Sequence, residues 1–164
     1  MNLAIDTSAL LSLEAGGVLE IAVEKLDFII SPRVKEELTG ISENNDFEGN
    51  LAKSVLGYVG NEIKVVEPSK RFDEGESEVA YLAKETSDVE FIITDDIAAK
   101  EKIEKISDKP IRFSTMIVYA LCLKGIKTFK EGWKIIERMA VKRVWKDNLI
   151  FESAKLMWKD NDEL

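Results

Sequence analysis

The sequence predicts an α/β protein: a three-layer α/β/α sandwich around a central, mainly parallel sheet, followed by a helical C-terminal tail. Three observations predict it. Short apolar runs of strand length recur along the chain: "LAID" (3–6), "DFIIS" (27–31), "EIKVVEP" (62–68), "EFIITDD" (90–96) and "KPIRF" (109–113). Stretches of helical character separate them, which is the pattern of parallel βαβ units. The length of 164 residues suits one domain with a substantial core and leaves no room for a second full domain.

The elements follow in order. After "LAID", the stretch "TSALLSLEAG" reads as a helix capped by Thr7 or Ser8 and stopped at Gly16-Gly17. "VLEIAVEKL" (18–26) is a second helix, and Pro32 closes the next strand and starts "RVKEELTG" as a third. A polar loop then a helix fill residues 42–60, and "DEGESEVAYLAKET" (73–86) is a helix with acids at its positive end. "IAAKEKIEKI" follows the fourth strand, and Ser114 or Thr115 caps "MIVYALCLKG". Residues 1–125 form the α/β domain. The tail, 126–164, supplies two helices that pack on that domain or on a dimer partner, and its acidic end "DNDEL" is expected to fray.

Composition excludes several chemistries. The chain contains no histidine and only one cysteine, so imidazole bases, His-ligated zinc, Cys-rich metal sites and intrachain disulfides are all ruled out. Cys122 is expected to be a buried core thiol. No apolar run is long enough to cross a bilayer, and "MNLAIDTS" has neither a basic region nor a cleavage site, so a cytoplasmic protein with no membrane partner is expected. A net charge of −8 argues against gripping nucleic acid mainly by charge, although "VKRVWK" (141–146) can touch phosphates locally. A catalytic metal would be held by carboxylates, which select hard ions such as Mg²⁺ or Mn²⁺.

The carboxylates are placed to do so. Ligands of open parallel sheets bind beyond the carboxyl ends of the strands, where Asp6, Asp95 and Asp96 stand. In "SPRVKEELTG", Val34, Leu38 and Ile41 share a face; Glu37 lies on that buried side and Glu36 points away. In "GESEVAYLA", Glu76 shares a stripe with Val79, Ala80 and Ala83, while Glu78 projects roughly 200° away at about 100° per residue. An acid within an apolar stripe is costly unless paired, and a shared metal would pair it. Periodicity does not choose between Asp95 and Asp96, because parallel strands are buried on both faces. The competing reading is that each acid merely caps a helix.

The motifs "AIDTSALLSLEAGGVLEI", "ISPRVKEEL", "DEGESEVAYLAKE" and "IITDDIAAKE" resemble the successive acidic motifs of PIN domains, closest to a toxin-like branch with a GE-x-E third motif and a DD fourth. The similarity runs from residue 2 to about 125, with a weaker echo in the tail. It implies a metal-dependent nuclease that hydrolyses single-stranded or structured RNA with Mg²⁺ or Mn²⁺. It assigns Asp6, Glu37, Glu76 and Asp96 as catalytic and metal-binding acids, with Asp95 the alternative fourth ligand. Thr7, Ser8, Thr94 and Glu78 take supporting places. Glu76 departs from the family, where many members have Asp, and its longer arm alters coordination distance. The resemblance also implies a homodimer and, for a toxin, a small antitoxin partner.

Two rivals stand beside this reading. One is a PIN fold without turnover that serves as a nucleic-acid or protein interaction module; the filled acid positions disfavour it. The other is a phosphatase or receiver-like domain, disfavoured because its paired acids normally follow the first strand. Trp133, Trp145 and Trp158 are read as core or subunit-interface residues, at least one of them at an interface, rather than as base-stacking platforms.

Overall fold

The computed structural model describes residues 1–145 and 148–159; Lys146, Asp147 and the acidic end from residue 160 lie outside the described residues. Five short strands form one parallel sheet in the order β3-β2-β1-β4-β5: β1 (Asn2–Ile5), β2 (Asp27–Ile30), β3 (Ile63–Val65), β4 (Val89–Ile93) and β5 (Ile111–Arg112). The central strands are apolar because both their faces are covered; Leu3, Ala4, Ile5, Ile30, Ile92 and Ile93 have no exposed surface. Strand order reverses between β1 and β4: the chain moves outward one way from β1 to β3, then crosses to β4 and on to β5. That reversal opens the crevice in which such sheets bind ligands.

Helices cover the sheet. α1 (Thr7–Ala15) and α2 (Leu19–Lys25) connect β1 to β2, and α3 (Pro32–Ser42) and α4 (Phe47–Leu56) connect β2 to β3. α5 (Gly75–Glu85) carries the chain across to β4 and lies against both β1 and β4, beside α6 (Lys100–Ile106). α3 touches α4, α1 and α5. The expected helix after β4 is split, a 3₁₀ turn at Ile97–Ala99 preceding α6. The described tail follows α7 (Thr115–Leu123) as α8 (Phe129–Lys142) and α9 (Leu149–Trp158); α8 packs on α1 and α7, and α9 on α7 and α8.

The tail is held by aromatic packing. Trp158 is fully buried, donates its indole N–H to the Phe129 carbonyl at 3.0 Å, and meets Tyr119 edge-on at 5.1 Å between ring centroids. Trp145 is also buried, and Trp133 stacks on Phe151 at 5.7 Å. For Trp145 and Trp158 the expected choice between core and interface therefore resolves to this chain's own core. Gly132 makes the close approach of α8 possible: a Cβ there would stand 2.4 Å from the sulfur of Cys122, itself buried as expected.

α8 ends in a strained turn. Trp145 donates its backbone N–H to Ala140 O at 2.8 Å, the long-range bond of a Schellman motif, which requires the intervening residue to be left-handed. That residue is Val144, at φ 55°, where glycine is usual and a β-branched side chain is strained. Val144 is 81% exposed, so its side chain contributes little packing. Val144→Gly is expected to raise stability by about 1 kcal/mol, the left-handed penalty less the extra unfolded-state entropy of glycine. The gain is read as a higher urea midpoint at unchanged m value; an unchanged or lower midpoint contradicts it.

Candidate active site

The β1–β4 register sets the site. Ile5 pairs with Ile93, so Asp6 and Thr94 emerge side by side one residue past each strand, and Asp6 N–H donates to Ile93 O at 3.1 Å. Asp6 is 5% exposed. Its Oδ1 accepts from Ala9 N–H at 3.0 Å and from Ser8 Oγ at 2.8 Å, and its Oδ2 accepts a short hydrogen bond from Thr94. Asp6, not Thr7 or Ser8, is thus the N-cap of α1, and the capping reading holds for this residue alongside any role in chemistry. Burial pushes its carboxyl up to about 7, against the pull of the Thr94, Ala9 and Ser8 hydrogen bonds, and the neighbouring Asp95 pushes the same way.

Successive residues beyond a strand point to opposite sides, and this separates the two aspartates that periodicity could not. Asp95 turns away from Asp6: its carboxylate accepts from Ser114 N–H at 2.9 Å and Ser114 Oγ at 2.6 Å, tying β4 to the start of α7. Its backbone N–H donates to Ser8 Oγ at 2.9 Å, and its carboxylate also meets Ser12 of α1 and feels the charges of Arg143 and Asp6. Asp95 thus serves a structural joint beside the acids and is not among the residues lining their cavity. Asp96 turns back and lines the cavity with Asp6, while its Oδ1 caps the 3₁₀ turn through Ala98 N–H at 2.9 Å and Ala99 N–H at 3.2 Å. Thr94 Oγ1, bonded to Asp6, also accepts from Asp96 N–H at 3.0 Å, so one hydroxyl links the two acids.

The remaining acids come from α3 and α5. Glu37 is placed as helical phase expects, its side chain 29% exposed against 51% for Glu36. Thr7 Oγ1 donates to Glu37 Oε2 at 2.7 Å and Gly75 N–H to Oε1 at 2.9 Å. Glu76 lines the same cavity, 3.7 Å from Lys102 Nζ. The cavity holding Asp6, Glu37, Glu76 and Asp96, with Thr7 and Ser8, measures about 230 Å³.

Glu78 requires a second correction. It is the fully buried acid of α5, and it does not line this cavity. Its Oε1 lies 2.8 Å from Arg71 Nε, an ion pair by proximity rather than an aligned hydrogen bond, and its Oε2 accepts from Phe72 N–H at 3.4 Å. Spacing rightly set Glu78 on a different face from Glu76. It did not show that this face is buried as well, because α5 packs on β1, β4, α3 and α6 together.

Two residues of the site were not foreseen. Among the described residues Arg143 is the cation lining the cavity beside the acids, its side chain 15% exposed and ion-paired to Glu48 of α4. It lies within the basic stretch "VKRVWK", and helical phase is the signal that could have found it: it continues the buried stripe of Ile136, Met139 and Ala140 at i, i+3, i+4 and i+7. Gly75 is the other. A Cβ there would stand 2.5 Å from Glu37 Oε2, so the glycine of the GE-x-E motif makes room for the neighbouring helix's carboxylate. Gly75→Ala is expected to push Glu37 aside with little loss of stability, since a flexible side-chain end can move. If the cavity carries the metal-dependent chemistry expected from the sequence, the rate should fall by about tenfold or more, the scale of outer-partner changes at metal sites; a full-rate variant contradicts this.

A family model described as a PIN domain matches residues 2–157, almost the whole chain. The chain belongs to the PIN-domain family. No curated protein and no solved structure matches it. PIN domains are nuclease-type folds that typically use divalent metal ions, and the donor set here suits a hard ion: carboxylates, without imidazole or thiolate. Among the described residues no three such side chains are already arranged as a ligand cage. No helix among the described residues is long and apolar enough to cross a membrane.

Proposed function

We propose that this PIN domain is a metal-dependent endoribonuclease that hydrolyses RNA phosphodiester bonds in the cavity between β1 and β4. The observation that carries the reading is the convergence of Asp6, Glu37, Glu76 and Asp96, from four separate segments, on one cavity at the switch point of the sheet. A bound Mg²⁺ or Mn²⁺ supplies charge neutralisation and a water acidified enough to attack phosphorus.

The chain's own residues position the parts. Asp6 and Asp96, linked through Thr94, are the acids best placed to hold the ion, with Glu37 and Glu76 across from them. Thr7 and Gly75 hold Glu37 from opposite sides, and Ser8 holds Asp6, so these carboxylates need little reorganisation on binding. Arg143 can neutralise a phosphate oxygen that faces away from the ion. Its present partner, Glu48, is half exposed and is exchanged at small cost.

The test is cleavage of a labelled single-stranded RNA with Mn²⁺, Mg²⁺ or EDTA. Metal-dependent cutting is expected. An inert protein whose melting temperature is also indifferent to millimolar metal would shift the reading to a binding module, which the missing ready-made cage among the described residues favours. The toxin role extends the proposal. It expects induced expression to arrest growth through RNA cleavage, and normal growth would remove it.

A further inference from the structure

A second cavity of about 310 Å³ opens beside the acidic one and shares Asp96 with it. Its walls are mainly apolar, supplied by Ile97, Phe113, Met116 and Leu149, from the 3₁₀ turn, the end of β5, α7 and α9. Two cations line it, Lys100 and Arg112. Lys100 is 3.7 Å from Glu104, an exposed pair; Arg112 lies over Phe91 and, among the described residues, makes no ion pair with a carboxylate. Thr115 also lines it, its Oγ1 buried and without a hydrogen-bond partner among the described residues.

We infer that this cavity receives the base of the nucleotide adjoining the scissile phosphate. The inference rests on the nuclease reading for its substrate and on the cavity's own chemistry for its occupant. An apolar chamber containing an aromatic side chain suits the faces of a heteroaromatic ring. A cationic lining complements the phosphates flanking that ring, which a purely apolar segment lacks. Asp96 lines both this chamber and the acidic cleft, so a base held here leaves its phosphate near the carboxylates. Cleavage is therefore sensitive to the identity of one base.

The experiment is a calorimetric titration of the full chain in EDTA with 5′-AMP, 5′-UMP and ribose 5-phosphate. At least one nucleotide is expected to bind about fivefold or more tighter than the base-free sugar phosphate, the low end of base–aromatic stacking. Phe113→Leu should remove most of that difference. Arg112→Gln, at an exposed position that does not threaten the fold, should weaken all three ligands together. Equal binding of all three, no saturable binding at millimolar concentration, or a hydrophobic dye that enters the cavity and is displaced by no nucleotide would overturn the inference; the last marks a protein-docking face. Base-dependent binding without RNA cleavage keeps the cavity and retires the nuclease, and cleavage without base-dependent binding does the reverse.

Discussion

Asp6→Asn is expected to lower metal-dependent RNA cleavage by about a hundredfold or more, since even outer partners of metal ligands are worth 10–100-fold. The amide can keep the cap to Ala9 and the bond from Ser8, so the fold survives and lost activity reports lost chemistry. Stability separates the two causes further. In EDTA, Asp6 of the wild type titrates at about 7 when folded and at the ordinary 3.8 when unfolded. Between those values the native state binds the extra proton, so stability falls as pH rises. The span corresponds to on the order of 4 kcal/mol, and Asp95, also shifted upward by burial, adds in the same direction. Asp6→Asn should flatten this slope and be the more stable protein at pH 8 without metal. Metal should raise the wild-type melting temperature more at pH 8 than at pH 6, because the ion competes with the proton. Full activity in the variant, or identical pH–stability curves, removes Asp6 from the site.

Arg71→Ala is expected to destabilise the chain more than an ordinary surface substitution, because it removes the counter-charge of the fully buried Glu78. The other partners of Arg71, Glu36 at 2.9 Å and Glu67 at 3.4 Å, are exposed and account for little of this. Combining Arg71→Ala with Glu78→Gln should recover most of the loss, since the amide carries no charge to strand. Urea denaturation of the two single variants and the double decides it. A loss for Arg71→Ala no greater than that of an ordinary surface substitution would mean that the buried carboxylate is satisfied by other means.

The sequence was most legible where one physical rule governed each residue. Apolar runs of strand length located all five strands, although β4 stops at Ile93 and β5 is only Ile111–Arg112. Helical phase put Glu37 toward the cavity because α3 has one plainly apolar face. On α5 the same phase separated Glu76 from Glu78, but almost every side of that helix is covered, so phase did not show that the Glu78 face is buried as well. Asp95 and Asp96 could not be separated because the choice rests on the β1–β4 register, a long-range property. Arg143 stands at the end of α8 in phase with Ile136, Met139 and Ala140, but the sequence does not tell that this stripe ends beside the acids, which depends on how α8 packs on α1.

The hydroxyl bridge between Asp6 and Thr94 joins residues 88 apart in the chain, across two strands that become neighbours only after β2 and β3 have been laid down on the other side. Contacts of such separation form slowly, since the intervening loop must be closed before they stabilise anything. At roughly 5–20 residues per second, a growing chain carries its first acid for about ten seconds before the fourth exists. Arg143 emerges later still. On the proposed nuclease reading, the growing chain would lack an assembled site until β4 docks beside β1.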